Sequence, residues 1–231
     1  EGLILQQSLF PDLRCVSLAL TRFHGVLLFG LGHPDGTVQL YVPSTDSSVE
    51  LEGYAWSLSL KFCEINENSI LFASGGQDRT IRLWRIILNA ASEISKLNVS
   101  VASHATLQTE KTPFHVELFS NLEGHSDWVN SISFVDGPSR SLCSASFDGQ
   151  ILIWTSAVIQ QHDKQSSSEN NSSIFADYDI STRLGTTNVE DDQSGFIGCK
   201  LLKDNDVIAL SRNGGFSRWI DGKIVRCFAG H

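Results

Sequence analysis

Methionine is missing from the whole sequence of 231 residues, and the first residue is Glu1. Because translation starts at a methionine, we expect these residues to be a piece of a longer protein. Long apolar runs are missing too, since no stretch approaches the ~20 residues that a membrane-spanning helix needs. The sequence therefore predicts no contact with a membrane.

An excess of basic residues is also lacking, because 17 Lys and Arg stand against 26 Asp and Glu, for a formal net charge of −9. This balance argues against a surface that binds nucleic acid or anionic lipid as a whole, although a local basic patch is compatible with it. We expect a cytoplasmic protein, with the nucleus as a second location.

Metal-binding patterns are absent as well. The five cysteines are widely spaced and contain no Cys-x-x-Cys pair, and the seven histidines contain no His-x-x-x-His pair. These spacings predict neither a disulfide framework nor a zinc site. We therefore expect no metal ion, no cofactor and no small-molecule substrate.

What the sequence does contain is an internal repeat. A turn residue is followed six positions later by an aromatic residue, with alternating apolar residues between them. The four copies are Asp35 to Tyr41, Asp78 to Trp84, Asp148 to Trp154 and Asn213 to Trp219. Apolar segments at 71–75 and 142–146 precede two of these turns, and alternating segments at 56–62 and 128–134 lie further upstream. Three strands per unit predict an all-β chain.

The third unit carries the most specific motif. Gly124-His125, Asp148 and Trp154 occupy the glycine-histidine, turn-aspartate and terminal-tryptophan positions of the WD-repeat family, which this chain therefore resembles. The resemblance implies four-stranded blades of a β-propeller, about four of which are present of the seven that usually close a ring.

The resemblance also implies a buried hydrogen-bonded chain in the third unit, made by His125, Ser144 or Ser146, Asp148 and Trp154. In the second unit, Asp78 and Trp84 occupy the matching positions. Three replacements predict less regular blades elsewhere, namely Tyr54 for the histidine, Asn213 for the aspartate and Tyr41 for the tryptophan.

Domain boundaries follow from the spacing of the turns, which twice exceeds the ~40–45 residues of a plain repeat. We assign residues 1–219 to a first propeller and 220–231 to the start of a further blade or a second propeller. The units are expected at about 13–43, 51–86, 122–155 and 195–219, and the insertions at 86–121 and 155–194. The polar composition of residues 165–173 predicts a mobile loop.

His125, Asp148 and one of the serines can also be interpreted as a catalytic triad. We favour the structural interpretation, because the same residue types recur at the spacing of the blades. The sequence therefore predicts that the chain is not an enzyme.

Two further groups of residues are candidates for partner contacts. Arg79, Arg82 and Arg85 lie on or beside one strand and could contact an acidic partner or RNA phosphates, although we favour a solvated blade face. Trp56 and Trp128 lie near strand starts, where we favour packing between blades over a role as exposed anchors.

The order of the units resembles a double-propeller subunit family of the Elongator complex, on the segments 73–86, 114–118, 122–129, 183–185, 195–199 and 214–219. The resemblance implies a non-catalytic scaffold in the modification of the transfer RNA wobble uridine. Its expected partners are the large scaffold subunit and the catalytic, acetyltransferase-like subunit of Elongator. Direct binding of transfer RNA, or a peptide-reading role in another complex, are the alternatives.

Overall fold

The structure, a computed structural model, describes residues 14–53, 55–88, 104–135, 140–159, 174–185, 195–203 and 206–228. In these residues the chain forms four antiparallel β-sheets. This is the all-β architecture that the repeat predicts.

Each sheet is a meander in which successive strands are mostly neighbours. Sheet 1 contains β1 (Ser17–Phe23), β2 (Val26–Gly32), β3 (Val38–Val42) and β4 (Ser47–Leu51). Sheet 2 contains β5 (Ser57–Asn66), β6 (Ser69–Gly76), β7 (Ile81–Leu88), β8 (His104–Leu107) and β9 (Phe114–Leu122), in the order β5-β6-β7-β9-β8. Sheet 3 contains β10 (Val129–Phe134), β11 (Leu142–Ser146), β12 (Gln150–Ile159) and β13 (Ile174–Gly185). Sheet 4 contains β14 (Phe196–Lys203), β15 (Asp206–Ser211), β16 (Phe216–Ile220) and β17 (Lys223–Phe228).

The repeated turn residue joins the second and third strands of every sheet. In each case its side-chain oxygen accepts the backbone N–H two residues later, which closes a tight turn. The distances are 2.9 Å from Asp35 to the Thr37 amide, 3.4 Å from Asp78 to Thr80, 2.9 Å from Asp148 to Gln150 and 2.9 Å from Asn213 to Gly215. The need for this acceptor explains why only Asp and Asn occupy the position.

Apolar side chains hold the sheets together face to face. Three buried clusters join sheets 1 and 2, sheets 2 and 3, and sheets 3 and 4. Strand β6 contributes to two of them, because Ile70 and Phe72 face sheet 1 whereas Leu71 and Ala73 face sheet 3. A strand that is buried on both faces needs apolar or small residues at every position, and the 69–76 segment has apolar residues at 70–73 with only serine and glycine beside them.

Glycine allows neighbouring sheets to come into close contact, for example at Gly30 and Gly195. A Cβ atom at Gly30 would lie 2.5 Å from the Phe72 ring, and one at Gly195 would lie 2.2 Å from the Phe147 backbone. Both distances are far below a van der Waals contact. These glycines therefore set how closely sheets 1 and 2, and sheets 3 and 4, approach each other.

The first strands of neighbouring sheets are joined by serine side chains. Ser59 on β5 accepts the Ile132 N–H of β10 at 3.0 Å. Ser131 and Ser133 on β10 accept the N–H groups of Cys199 and Leu201 on β14, at 3.2 and 3.4 Å. An edge strand leaves backbone amides without a partner in its own sheet, and burying such an amide unpaired is costly. The serines supply the missing acceptors.

Several boundaries differ from those expected from the sequence. The expected insertion at 86–121 contains β8 and most of β9, and the expected insertion at 155–194 contains β13, so both include outer strands of a sheet. The assignment of 220–231 to a further blade is wrong for β17, which is the fourth strand of sheet 4. Outer strands face solvent on one edge and carry a weaker apolar pattern. The predicted mobile loop at 165–173 lies outside the described residues.

We predict that Ser59→Ala lowers the free energy of unfolding by about 1–3 kcal/mol, because the Ile132 amide then stays buried without an acceptor. Urea unfolding of the purified chain measures this loss. The control is Ser48→Ala, since Ser48 is an exposed serine of β4 whose replacement should change stability by less than ~0.5 kcal/mol. Equal effects of the two substitutions would contradict the role of Ser59.

Candidate functional site

A chain of four polar side chains crosses sheet 3. Asp148 lies in the β11–β12 turn, His125 precedes β10, Ser144 lies on β11 and Trp154 on β12. His125 Nδ1 lies 2.8 Å from Asp148 Oδ2, and His125 Nε2 lies 2.7 Å from Ser144 Oγ. The Trp154 indole N–H donates to Ser144 Oγ at 2.9 Å. The structure thus brings together the four residues that the WD-repeat resemblance implies.

The hydrogen bonds of the Ser144 hydroxyl determine which atoms of this chain donate and which accept. Its oxygen accepts the indole hydrogen of Trp154, so its own hydrogen can be donated to His125 Nε2. The hydrogen on Nδ1 then points to the Asp148 carboxylate. Every polar atom of the chain has a partner in this arrangement, which is the condition for burying it.

Burial and backbone amides fix the Asp148 carboxylate. The side chains of His125 and Asp148 are only 0% and 2% exposed. The N–H groups of Ser126 and Gln150 each donate to Asp148 at 2.9 Å. Burial by itself raises the pKa of Asp148, but the hydrogen bonds from His125 and from these two amides outweigh burial, so the pKa lies below its ordinary value.

The two candidate serines have different roles. Ser144 joins His125 and Trp154, whereas Ser146 donates to the Asp127 carbonyl at 3.0 Å and accepts the Asp148 N–H at 3.1 Å. Ser146 therefore holds the turn that carries Asp148. The Ser144 hydroxyl is completely buried and hydrogen-bonded on both sides, so it offers no approach to a substrate in this structure.

The second sheet has no matching chain among the residues described. The Asp78 carboxylate accepts a hydrogen bond from Arg82 Nη1, and the Trp84 ring packs against Phe72 with 5.6 Å between centroids. The structure therefore does not support the prediction that Asp78 and Trp84 belong to such a tetrad. Tyr54, which replaces the histidine, lies outside the described residues. Without a histidine, the aspartate takes an arginine as its partner instead.

The three arginines of the second unit do not form a basic patch. Arg82 forms an ion pair with Asp78, and Arg85 donates from Nε to Glu117 Oε1 at 2.6 Å across the β7–β9 pair. These two charges are balanced and largely buried. Arg79 alone of the three is exposed.

The expectation that Trp56 and Trp128 pack between blades is wrong. Their side chains are 47% and 40% exposed, at the ends of β5 and β10 that lie beside the repeated turns. Trp128 lies against Phe147, with 5.9 Å between ring centroids, and the Arg212 guanidinium lies 5.3 Å from the centroid of the Phe147 ring. We call this end of the strands the turn rim. It consists of the turns after β2, β6, β11 and β15 together with the residues directly before β5, β10 and β14.

Phe147 and Arg212 were missed in the sequence, although both directly precede a repeated turn residue. Their backbone positions are equivalent, because the N–H of Phe147 donates to the Trp128 carbonyl at 3.1 Å and that of Arg212 to the Gly195 carbonyl at 2.9 Å. This hydrogen bond attaches each turn to the start of an inner strand, so the side chain of the bonded residue is held on the rim.

Arg79 has an unusual backbone conformation. Its φ angle is 69°, in the left-handed region that glycine adopts readily and other residues avoid. The equivalent position is glycine in the other three turns, namely Gly36, Gly149 and Gly214, with φ of 95°, 77° and 83°. The left-handed region costs a residue with a Cβ atom about 1–2 kcal/mol. An arginine is therefore held on the rim in a strained conformation.

Neither a three-residue metal-binding group nor a membrane-spanning helix is found in the part of the chain that the structure describes. No group of three His, Cys, Asp or Glu side chains there could hold a metal ion, and no helix there is long and apolar enough to cross a bilayer.

Comparison with known proteins gives one family and several relatives. The family model "WD domain, G-beta repeat" matches residues 44–85 and 116–155. Each match begins in or just before the strand that ends one sheet in chain order and ends in the third strand of the next sheet, so the sequence repeat and the blade are offset by one strand.

The chain is similar to Elongator complex protein 2 of Arabidopsis thaliana, with 30% identity over 166 residues, 60% of this chain and 20% of that protein. Elongator complex protein 2 of Drosophila melanogaster is 26% identical over 234 residues, 89% of this chain and 27% of that protein. The ribosome biogenesis protein ytm1 of Botryotinia fuckeliana is 36% identical over 123 residues, 53% of this chain and 20% of that protein.

The chain thus spans between 20% and 27% of the length of these relatives. Among solved structures, "Structure of U3-55K" has a TM-score of 0.55 and 15% identity, covering 95% of this chain and 53% of that one. This last likeness concerns the fold alone.

The lowered pKa of Asp148 predicts a pH dependence. A carboxyl whose pKa is lower in the folded state stabilises that state above its ordinary pKa of ~3.9, and the stabilisation is lost as the pH falls through the folded value. At pH 7, Asp148→Asn should lower the free energy of unfolding by about 1–3 kcal/mol. The difference from the unmodified chain should shrink below about pH 4. Urea unfolding at pH 7 and pH 3 tests this, and a difference that does not change with pH would contradict it.

The strained turn predicts opposite effects at equivalent positions. Arg79→Gly should not lower the free energy of unfolding, because relief of the left-handed arginine offsets the greater flexibility of glycine in the unfolded chain. Gly149→Ala should lower it by about 1–2 kcal/mol, since it introduces the same strain in sheet 3. Thermal unfolding measures both changes. A clear loss of stability in Arg79→Gly would show that the arginine contributes contacts that outweigh its strain.

Proposed function

Because this chain is built from WD-repeat β-propeller blades and is similar to Elongator complex protein 2, we propose that it is a scaffold part of the Elongator complex. The similarity to the Drosophila melanogaster protein, which extends over 89% of the chain, is the observation that carries the assignment. In this proposal, the chain supports modification of the transfer RNA wobble uridine and leaves the reaction itself to another subunit.

The polar groups of the site support a structural role. In sheet 3, the one histidine-aspartate-serine arrangement of the described residues is buried and fully hydrogen-bonded. Rigid sheets with loops at both ends offer many surfaces on which other proteins can dock. The proposed partners are the large scaffold subunit and the catalytic, acetyltransferase-like subunit. The proposal implies a cytoplasmic protein, with the nucleus as a second location.

Direct binding of transfer RNA is the second function weighed for this sequence. Two of the three arginines on which it rested, Arg82 and Arg85, form ion pairs within sheet 2. Their charges are therefore not available to phosphate groups, and the observations favour protein contacts over contacts with RNA.

The proposed function is tested in cells of the source organism that lack the full-length protein. Modified wobble uridine should disappear from their transfer RNA, as measured by mass spectrometry of digested nucleosides. Re-expression of the full-length protein should restore it. The purified chain alone should neither hydrolyse acetyl-CoA nor consume S-adenosylmethionine.

The deletion experiment and the activity assay test different parts of the proposal. A normal level of modified uridine in the deleted cells would overturn the assignment to Elongator, without affecting the WD-repeat fold. Turnover of either cofactor by the purified chain would instead overturn the scaffold role.

A further inference from the structure

Two cysteine thiols meet between sheets 3 and 4. Cys143 lies on β11 and Cys199 on β14, and both contribute to the apolar cluster that joins these sheets. Cys199 Sγ lies 3.6 Å from the Cys143 carbonyl oxygen, and its thiol is a hydrogen-bonding neighbour of the Cys143 thiol. The other three cysteines lie before β1, on β5 and on β17, and are Cys15, Cys63 and Cys227. Cys143 and Cys199 are therefore a pair whose sulfur atoms the fold brings together.

The equivalent positions between sheets 2 and 3 hold no thiol. Cys143 corresponds to Ala73, since each lies five residues before the aspartate of its turn. Cys199 corresponds to Ile132, since each donates its backbone N–H to a serine of the preceding inner strand. Ala73 and Ile132 belong to the apolar cluster that joins sheets 2 and 3. Packing of neighbouring sheets thus needs only apolar side chains here, and it does not account for two cysteines on the facing strands.

The two thiols differ in their access to solvent. Cys143 is 0% exposed, whereas Cys199 is partly exposed. Burial raises the pKa of the Cys143 thiol well above its ordinary value, and the neighbouring Cys199 raises it further. Because the thiolate is the reactive form of cysteine, Cys143 does not react first with a dissolved oxidant. Cys199 is the thiol that a small oxidant reaches, and Cys143 is the thiol that lies beside it.

From this geometry we propose that Cys143 and Cys199 are a redox modification site, at which a hydroperoxide such as hydrogen peroxide converts the two thiols into a disulfide that cross-links sheets 3 and 4. The proposal goes beyond the scaffold role, because it assigns a covalent modification to the interface of two sheets whichever complex contains the chain.

The reaction takes place in two balanced steps. The Cys199 thiolate attacks one oxygen of hydrogen peroxide, which breaks the O–O bond and forms a sulfenic acid on Cys199. The hydroxide that leaves takes up the proton of the thiol and becomes water. The Cys143 sulfur then attacks the Cys199 sulfur, which forms the S–S bond, breaks the S–O bond and releases a second water that carries the Cys143 proton. Two thiols are oxidised to one disulfide, and one peroxide is reduced to two waters.

The cross-link replaces only weak contacts of the reduced chain. Cys199 Sγ donates to the Ser131 and Cys143 carbonyls, at 3.6 Å each, and these bonds are lost with the thiol hydrogen. The bond from the Cys199 N–H to Ser131 Oγ, at 3.2 Å, involves no sulfur and stays in place. A disulfide between residues 143 and 199 also restricts the unfolded chain. We therefore expect the oxidised chain to be more stable than the reduced one.

The test uses the whole chain with Cys15→Ser and Cys227→Ser, which remove the exposed thiols that link separate chains. After treatment with hydrogen peroxide, thiol titration in denaturant should find one free thiol where the reduced chain has three. Mass spectrometry of a digest made without reducing agent should show Cys143 and Cys199 in one cross-linked peptide. The midpoint of thermal unfolding should rise by about 5 °C or more, and dithiothreitol should reverse all three changes.

Single substitutions in this background separate the two roles. Cys143→Ala should abolish the cross-link and leave a sulfenic acid on Cys199 that dimedone traps, as seen by mass spectrometry. Since the equivalent residue of sheet 2 is Ala73, this variant should fold, which circular dichroism checks. Cys199→Ala should give neither the cross-link nor a dimedone adduct on Cys143. The matched control is Cys63→Ala, which removes the partly exposed cysteine of β5 and should leave the cross-link unchanged.

Two results would overturn the proposal. One is that the folded chain keeps all three thiols under a peroxide concentration that oxidises free cysteine. The other is a disulfide that contains Cys63, which would show that oxidation follows chance collisions and not the pairing of sheets 3 and 4. Neither result bears on the loss of wobble-uridine modification in deleted cells, so the proposed function is tested separately.

Discussion

Face-to-face packing of apolar sheets is the constraint on which the rest of this structure depends. Because strands such as β6 are buried on both faces, any polar group between two sheets needs a partner inside the protein. The inner edges of sheets 2 and 3 meet this need with serines such as Ser59 and Ser133, which accept amides of the following sheet. The third sheet meets it with the Asp148–His125–Ser144–Trp154 chain. The residues that look catalytic in the sequence are thus the ones that make burial of a polar turn possible.

The same constraint separates what the sequence predicts from what it leaves open. The turn positions and three members of the buried chain, His125, Asp148 and Trp154, could be predicted, because tight turns need Asp or Asn and the motif has a fixed spacing. The choice between Ser144 and Ser146 could not be predicted, since residues two apart on a strand point to the same face of the sheet. Only the hydrogen bonds in the folded structure distinguish the two serines. Outer strands such as β13 and β17 were missed because one of their edges meets solvent, which weakens the apolar pattern.

The sequence was even less informative about which surface side chains pair with one another and which stay exposed. The charge of Arg85 is balanced by Glu117, and this pair depends on the register between β7 and β9, which residues 89–113 separate in the chain. Trp56 and Trp128 precede their strands by one position, so the alternation that identifies core residues does not apply to them. The side chains of Trp56 and Trp128 on the turn rim remain exposed after these internal pairs have formed.

Hydrogen bonds between the inner strands should make the sheets unfold as one unit, and native-state hydrogen exchange tests this directly. The amides of Ile132, Cys199 and Leu201 lie on strand edges that have no partner strand, yet each donates to a serine of the preceding sheet. We predict that these three amides exchange as slowly as amides paired within the sheets, and only through global unfolding. Fast exchange at these amides, with slow exchange inside each sheet, would show that the sheets open separately and would contradict the account.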